Sequence, residues 1–99
     1  MIPPGKVAKY FFDRFPEIRP STNGWYDFTC PFCGAFKGAA QFEEDRVKCW
    51  RGCFSGDSRH FVAELEQVTL AQAWKILIQV EGEIYIEAAT YKSRIPKLK

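Results

Sequence analysis

The chain has 99 residues, a formal net charge of +2 and a hydrophobic content of 46%. This length allows one small domain, whose stability is marginal unless disulfides or a metal reinforce its core. The composition is that of a globular protein. The weak charge excludes the strong basic field of a tight duplex-DNA binder, and no apolar run approaches the roughly 20 residues of a membrane helix.

The N-terminal segment PPGKVAKYFFDRFPEI, residues 3–18, predicts a short amphipathic helix. Pro3 and Pro4 suit its first turn, Pro16 ends it, and apolar side chains recur every three or four residues. The same segment has no basic region followed by an unbroken apolar stretch, so we expect no secretory signal and a cytoplasmic protein. In that compartment, paired cysteines are more often metal ligands or redox thiols than structural disulfides.

Three short strands are predicted in the middle of the chain, over residues 25–30, 39–44 and 46–50. In the first, the residues alternate as in a strand and several are aromatic. The other two form a hairpin that turns near Asp45. Tight turns, CPFCGAFKG and RGCFSG, follow the first and third strands. We expect six aromatic side chains of this region to pack in the core: Trp25, Tyr26, Phe28, Phe32, Phe36 and Phe42.

Two helices are predicted next. The first begins at Asp57 or Ser58, either of which is a good N-cap, and its apolar stripe consists of Phe61, Val62, Leu65 and Val68. At the start of the second, Thr69 and Gln72 form a capping-box pattern. Its apolar residues, before Gly82 ends it, are Leu70, Ala73, Trp74, Leu77 and Val80. We expect one domain over residues 1–82 and a C-terminal extension or linker over 83–99. Residues 83–91 of this extension fit a strand or a helix, and residues 92–99 read as a basic tail.

The cysteines form a C-x2-C-x15-C-x3-C pattern that predicts one structural zinc site. Zn²⁺ binds four thiolates in a tetrahedron with sulfur at about 2.3 Å. A two-residue spacer directs both sulfurs of one turn toward the same ion, and Gly34 and Gly52 ease the turns. Fifteen residues match a hairpin that returns the second pair to the first. The expected ligands, which leave no position for a catalytic water, are Cys30, Cys33, Cys49 and Cys53. The expected fold is a small α+β zinc ribbon with a three-stranded antiparallel sheet and flanking helices.

Other uses of these residues stay open at this point. CPFC is also the spacing of a dithiol redox motif, although that chemistry needs a helix N-terminus at its first cysteine. Disulfides or a four-sulfur iron site fit the same cysteines. His60, seven residues past Cys53, is a candidate replacement ligand, but a surface or capping role in the first turn of a helix suits it better.

The order of four segments, YDFTCPFC, AAQF, VKCWRGCFSGD and FVAELEQVTLAQAWKIL, resembles the N-terminal zinc-binding domain of bacterial and phage DNA primases. The resemblance covers about residues 25–80. Cys33 stands where bacterial members often have histidine, and a set of four cysteines suits phage primases. The second turn has three spacer residues instead of two. The positions that match the family pattern are Cys30, Pro31, Phe32, Phe42, Cys49, Cys53, Gly56, Asp57, Phe61 and Val62.

This resemblance implies a template-recognition module. In the family, the zinc domain engages single-stranded template and assists synthesis of the first dinucleotide, whereas polymerisation belongs to a separate catalytic domain. The implied partners are single-stranded DNA and the primase catalytic domain, with the replicative helicase as a further candidate. The setting would be a bacterial or phage-infected cell, and we expect no catalytic residue within this chain.

The strand RVKCW indicates a nucleic-acid surface independently of the family. Val47 and Cys49 are expected to face the core and the metal, so the alternating residues Arg46, Lys48 and Trp50 share the outer face. Cations beside an indole suit phosphates and a stacked base. The turn tips add Lys37 and Arg51. The alternatives are a solvated strand with Trp50 folded onto a helix, and a zinc-ribbon adaptor that binds a protein through Trp50 and helix 57–68 without touching DNA.

Overall fold

The computed structural model describes residues 2–82, which form three helices and one five-stranded antiparallel sheet. The strands follow one another in chain order across the sheet. The helices are α1 (Pro4–Arg14), α2 (Ser58–Glu66) and α3 (Leu70–Ile78). The strands are β1 (Arg19–Pro20), β2 (Trp25–Phe28), β3 (Gly38–Gln41), β4 (Arg46–Cys49) and β5 (Ser55–Gly56). The α+β class is confirmed, and our predictions for residues 83–99 lie outside the described residues.

The prediction of three strands is wrong, because β1 and β5 extend the sheet at its two edges. Each has two residues, too few for an alternating pattern, and Ser55 and Gly56 fall within the predicted turn RGCFSG. Arg19 pairs with Asp27 of β2, and Ser55 pairs with Lys48 of β4. Pro20 fits an edge strand because it has no N–H to donate to a neighbour.

The two faces of the sheet follow from its register. Asp27, Ala39 and Lys48 lie directly across from one another in β2, β3 and β4 and share one side, which we call the outer face. Tyr26, Ala40 and Val47 form the adjacent row and point to the other side. On that inner side, the strands pack with all three helices into the hydrophobic core.

The core is built around Phe11 of α1, which is fully buried. Its ring centroid lies 5.3 to 5.7 Å from those of four other phenylalanines: Phe15, Phe28, Phe42 and Phe61. The prediction of core packing is confirmed for Phe28 and Phe42. Trp25 and Tyr26 are half-buried, and Tyr26 packs against the core.

The same prediction is wrong for Phe32 and Phe36, which are 38% and 37% exposed. Both lie in the tight turn that follows β2, where the backbone wraps around the cysteine sulfurs and only part of each ring reaches another side chain. Phe32 meets Phe61 edge-on at 5.7 Å, whereas Phe36 lies under the guanidinium of Arg19.

The starts of α2 and α3 form as their sequences predict. Asp57 caps α2 by accepting a hydrogen bond from the His60 N–H, and Thr69 and Gln72 complete a capping box at α3. Ala73 and Leu77 of α3 are buried, but our assignment of Leu70 and Trp74 to the same apolar stripe is wrong, because they are 38% and 37% exposed. This short helix packs on α1 and α2 through a single stripe, and residues 70 and 74 lie beside it.

Candidate metal centre and adjoining surface

Two tight turns bring the cysteines together. The first follows β2, where the Gly34 N–H donates to the Cys30 carbonyl at 2.8 Å, and the second follows β4, where the Gly52 N–H donates to the Cys49 carbonyl at 2.8 Å. Gly34 has φ of +76° and Gly52 has φ of +85°. Residues with a Cβ are strained at such φ values, so glycine allows each turn to close.

The four Sγ atoms all lie within 4.8 Å of one another, and those of Cys33 and Cys49 are 3.9 Å apart. Metal–sulfur bonds of about 2.3 Å in a tetrahedron require sulfurs about 3.8 Å apart. A disulfide would need about 2.05 Å, and all four cysteines are free thiols. The four predicted ligands therefore form one cluster, and it can hold a metal ion such as zinc.

The local environment gives the four thiols unequal acidities. Burial raises the pKa of Cys49, but the backbone N–H groups of Cys53 and Arg51 outweigh it and lower the pKa to about 7. The Arg51 N–H donates to the Cys49 sulfur at 3.4 Å. For Cys53, desolvation and hydrogen bonds with neighbouring thiols raise the pKa to about 12. Without a cation, the cluster therefore favours a thiolate at Cys49, and a metal must displace protons from its neighbours to bind.

His60 lies outside this cluster. Its Nδ1 is 2.7 Å from the Asp57 carboxylate, and its backbone N–H donates to the same oxygen at 2.8 Å. The side chain is half exposed at the start of α2. His60 thus lies on the surface in the first turn of α2, as predicted, where it is the hydrogen-bond partner of the cap Asp57.

On the outer face, Lys48 lies between two indole rings. Its Nζ is 3.9 Å from the centroid of the Trp50 ring and 4.8 Å from that of the Trp25 ring. Trp50 is 64% exposed, so the alternative that it folds onto a helix is wrong. Ala39, at the centre of the row, is only 1% exposed.

The other predicted contact residues border this cluster. The Trp50 N–H donates to the Lys37 carbonyl at 2.9 Å, which extends the β3–β4 ladder by one rung and sets Lys37 opposite Trp50. Arg46 is exposed on the outer face of β4, and Arg51 is exposed at the tip of the second turn. The structure thus places Arg46, Lys48 and Trp50 along β4 on this face, with Lys37 and Arg51 beside Trp50.

Trp25 is the member of this surface that sequence reasoning missed. The alternation of WYDF puts Trp25 and Asp27 on the same side of β2, but alternation by itself does not say which side is covered. The register of β2, β3 and β4 aligns Trp25 with Arg46, so Lys48, two residues further along β4, reaches Trp25 diagonally across the outer face.

The family models, curated proteins and solved structures compared with this chain include no match. None of the helices described within residues 2–82 is both long and apolar enough to span a membrane. The chemistry of the site is therefore inferred from its own residues.

Proposed function

We propose that this domain binds single-stranded DNA on the outer face of its sheet and serves as the zinc-dependent template-recognition module of a DNA primase. The observation that carries the proposal is the arrangement of Lys48 between Trp25 and Trp50, beside the cysteine cluster. Indoles offer stacking surfaces to bases, and an ammonium group pairs with phosphate.

The metal in this proposal is one structural Zn²⁺ held by all four cysteines. Four thiolates suit zinc and complete its tetrahedron. Ligation at Cys49 and Cys53 would fix the backbone of the three residues between them, Trp50, Arg51 and Gly52. Trp50 would then be presented from a rigid support, which reduces the entropy lost when a base stacks on it.

The charges of the sheet favour a nucleic-acid strand on this side. The outward strand positions carry Arg19, Arg46 and Lys48 against one carboxylate, Asp27. Lys37 and Arg51 add positive charge beside Trp50. The chain as a whole has a net charge of only +2, so these cations are a local feature and not part of a broadly basic surface. Binding through so few cations should be local and moderate in strength.

The assignment to a primase rests on the order of the sequence motifs around the cysteines. Cys30-Pro31-Phe32, Phe42, the pair Cys49 and Cys53, and Gly56-Asp57 resemble the primase zinc domain in sequence order. Asp57 caps α2 immediately after the second turn. A helix cap at this point agrees with the position of the Gly-Asp pair in the primase motif, before the Phe-Val helix. In this role the domain would hold the template while a separate catalytic domain joins the nucleotides.

Fluorescence anisotropy with a short labelled oligonucleotide tests DNA binding. Trp50→Ala should weaken binding by about 1–3 kcal/mol, which is the contribution of one stacked base. Lys48→Met keeps an unbranched apolar side chain but removes the charge, so it should cost less and reduce the salt slope by about one. Lys75→Met on α3, away from the outer face, is the matched control and should bind as wild type does.

A protein-interaction adaptor is the second candidate, and the exposure of Leu70 and Trp74 on α3 favours it. The two functions respond differently to salt. Affinity for single-stranded DNA should fall with a log–log slope of about −0.7 for each phosphate contacted, whereas an interface anchored by apolar side chains should change little. Wild-type protein that binds no oligonucleotide at low salt would rule out the DNA-binding proposal.

A further inference from the structure

A second pair of a cation and an aromatic ring lies on the β1 side of the sheet. The Arg19 guanidinium carbon is 4.7 Å from the centroid of the Phe36 ring. Phe36 is 37% exposed, and Arg19 is exposed. Neither residue belongs to the cysteine cluster or to the Trp25–Lys48–Trp50 arrangement.

This pair lies on the same face as the first. Arg19 is directly across from Asp27, which is across from Ala39 and then Lys48, and residues paired in this way share a side of the sheet. Phe36 extends from the first cysteine turn to meet Arg19. Its ring therefore lies against Arg19 of β1, whereas its backbone is next to Lys37, which lies opposite Trp50.

We propose that Phe36 and Arg19 form a second base-stacking subsite, so that one DNA strand crosses the sheet from Trp50 to Phe36. This inference rests on the proposed single-stranded DNA binding. It specifies the path of the bound strand across the sheet and the number of nucleotides that the surface holds. A planar ring with a guanidinium against it offers the same chemistry as the first site, which is a stacking surface for a base next to a cation for its phosphate.

The distance between the two sites sets the length of strand they can share. From β4 to β1 there are three strand spacings of about 4.8 Å, or about 14 Å in total. At about 3.4 Å per nucleotide in a stacked strand, this span holds about four nucleotides, and fewer if the strand is stretched. An oligonucleotide of six therefore reaches from Trp50 to Arg19, whereas a dinucleotide covers only about half of that span.

The experiment compares labelled oligothymidylates of two and six nucleotides on the whole 99-residue protein loaded with zinc. Phe36→Leu keeps apolar bulk but removes the aromatic face. It should weaken binding of the six-nucleotide strand about 5- to 150-fold, equivalent to one stacked base, and should flatten the gain in affinity from two to six nucleotides. Arg19→Gln should weaken the longer strand as well and lower its salt slope.

Phe32→Leu is the matched control, because Phe32 has the same exposure and lies in the same turn but packs toward Phe61 of α2. It should bind the longer strand as wild type does. Wild-type protein that binds the six-nucleotide strand, loses affinity with Trp50→Leu and keeps it with Phe36→Leu would overturn the second subsite alone. Wild-type protein that binds neither strand would overturn the proposed function, and this inference with it.

Discussion

Asp45, in the hairpin turn between β3 and β4, accepts a hydrogen bond at 3.0 Å from the backbone N–H of Ser58, the first residue of α2. The bond joins the sheet to the helix thirteen residues later in the chain. Asp45 has φ of +55°, a value that aspartate and asparagine tolerate better than most residues. One residue thus closes the hairpin and satisfies an unpaired N–H at the helix start.

Asp45→Ala should therefore destabilise the domain by about 1–2 kcal/mol, since it loses a helix-start acceptor and places alanine at positive φ. Asp45→Asn keeps an acceptor oxygen and tolerates the same backbone, so it should cost much less. Thermal or urea unfolding of both variants measures the difference. Equal losses for the two would contradict this reading of Asp45.

Ser58 itself offers a substitution that should stabilise the fold. The residue is fully buried, and its hydroxyl oxygen has no hydrogen-bond partner among the described residues. An unpaired buried hydroxyl costs about 1–3 kcal/mol. Ser58→Ala should leave the backbone bond to Asp45 intact and raise the free energy of unfolding by about 1 kcal/mol. A lower unfolding midpoint for Ser58→Ala would mean that the hydroxyl has a stabilising partner.

Gly38 is required by the packing of β3 against β2. A Cβ at this position would lie 2.7 Å from the ring of Phe28 and 2.9 Å from its carbonyl oxygen. Gly38→Ala should cost about 1–3 kcal/mol through overpacking. In combination with Phe28→Leu, the loss should be smaller than the sum of the single losses, with a coupling of at least about 0.5 kcal/mol. Additive effects in a double-mutant cycle would show that the ring is not what alanine meets.

Metal binding at the cysteine cluster should be coupled to folding, because the core of so small a domain is marginal. Cys49→Ser should lose both the bound zinc and cooperative thermal unfolding. Metal analysis and calorimetry on the same sample measure the two properties. A metal-free preparation that unfolds cooperatively at the wild-type temperature would contradict the coupling.

The zinc affinity should also fall as the pH falls. Thiolates bind the metal, so protons compete with it, and the raised pKa of Cys53 means that binding near neutral pH must displace a proton there. Competition with a chelator at pH 8 and pH 6 should give weaker binding at pH 6, after correction for the chelator's own protonation. An affinity that is independent of pH would argue against thiolate ligation.

The sequence alone was sufficient wherever a pattern depends on near neighbours. Three features involve residues within a few positions of one another. They are the helix starts at Asp57 or Ser58 and at Thr69, the alternation of Arg46, Lys48 and Trp50, and the two glycine turns around the cysteines. These features follow from local backbone geometry and hydrogen bonding. The cysteine cluster was predictable for a different reason, because the fifteen residues between its two pairs match the length of a hairpin that returns the second pair to the first.

The tertiary structure determined the features that depend on strand register and on which face of the sheet or of a helix is buried. Trp25 reaches Lys48 only because β3 lies between their strands and sets their register. The two-residue strands β1 and β5 form only because each pairs with a longer neighbouring strand. Phe32, Phe36, Leu70 and Trp74 are as apolar as the core residues, yet packing leaves each of them partly exposed. Hydrophobicity indicates which side chains gain from burial, but a small domain has inner surface for only some of them, and the arrangement of its helices and strands selects which.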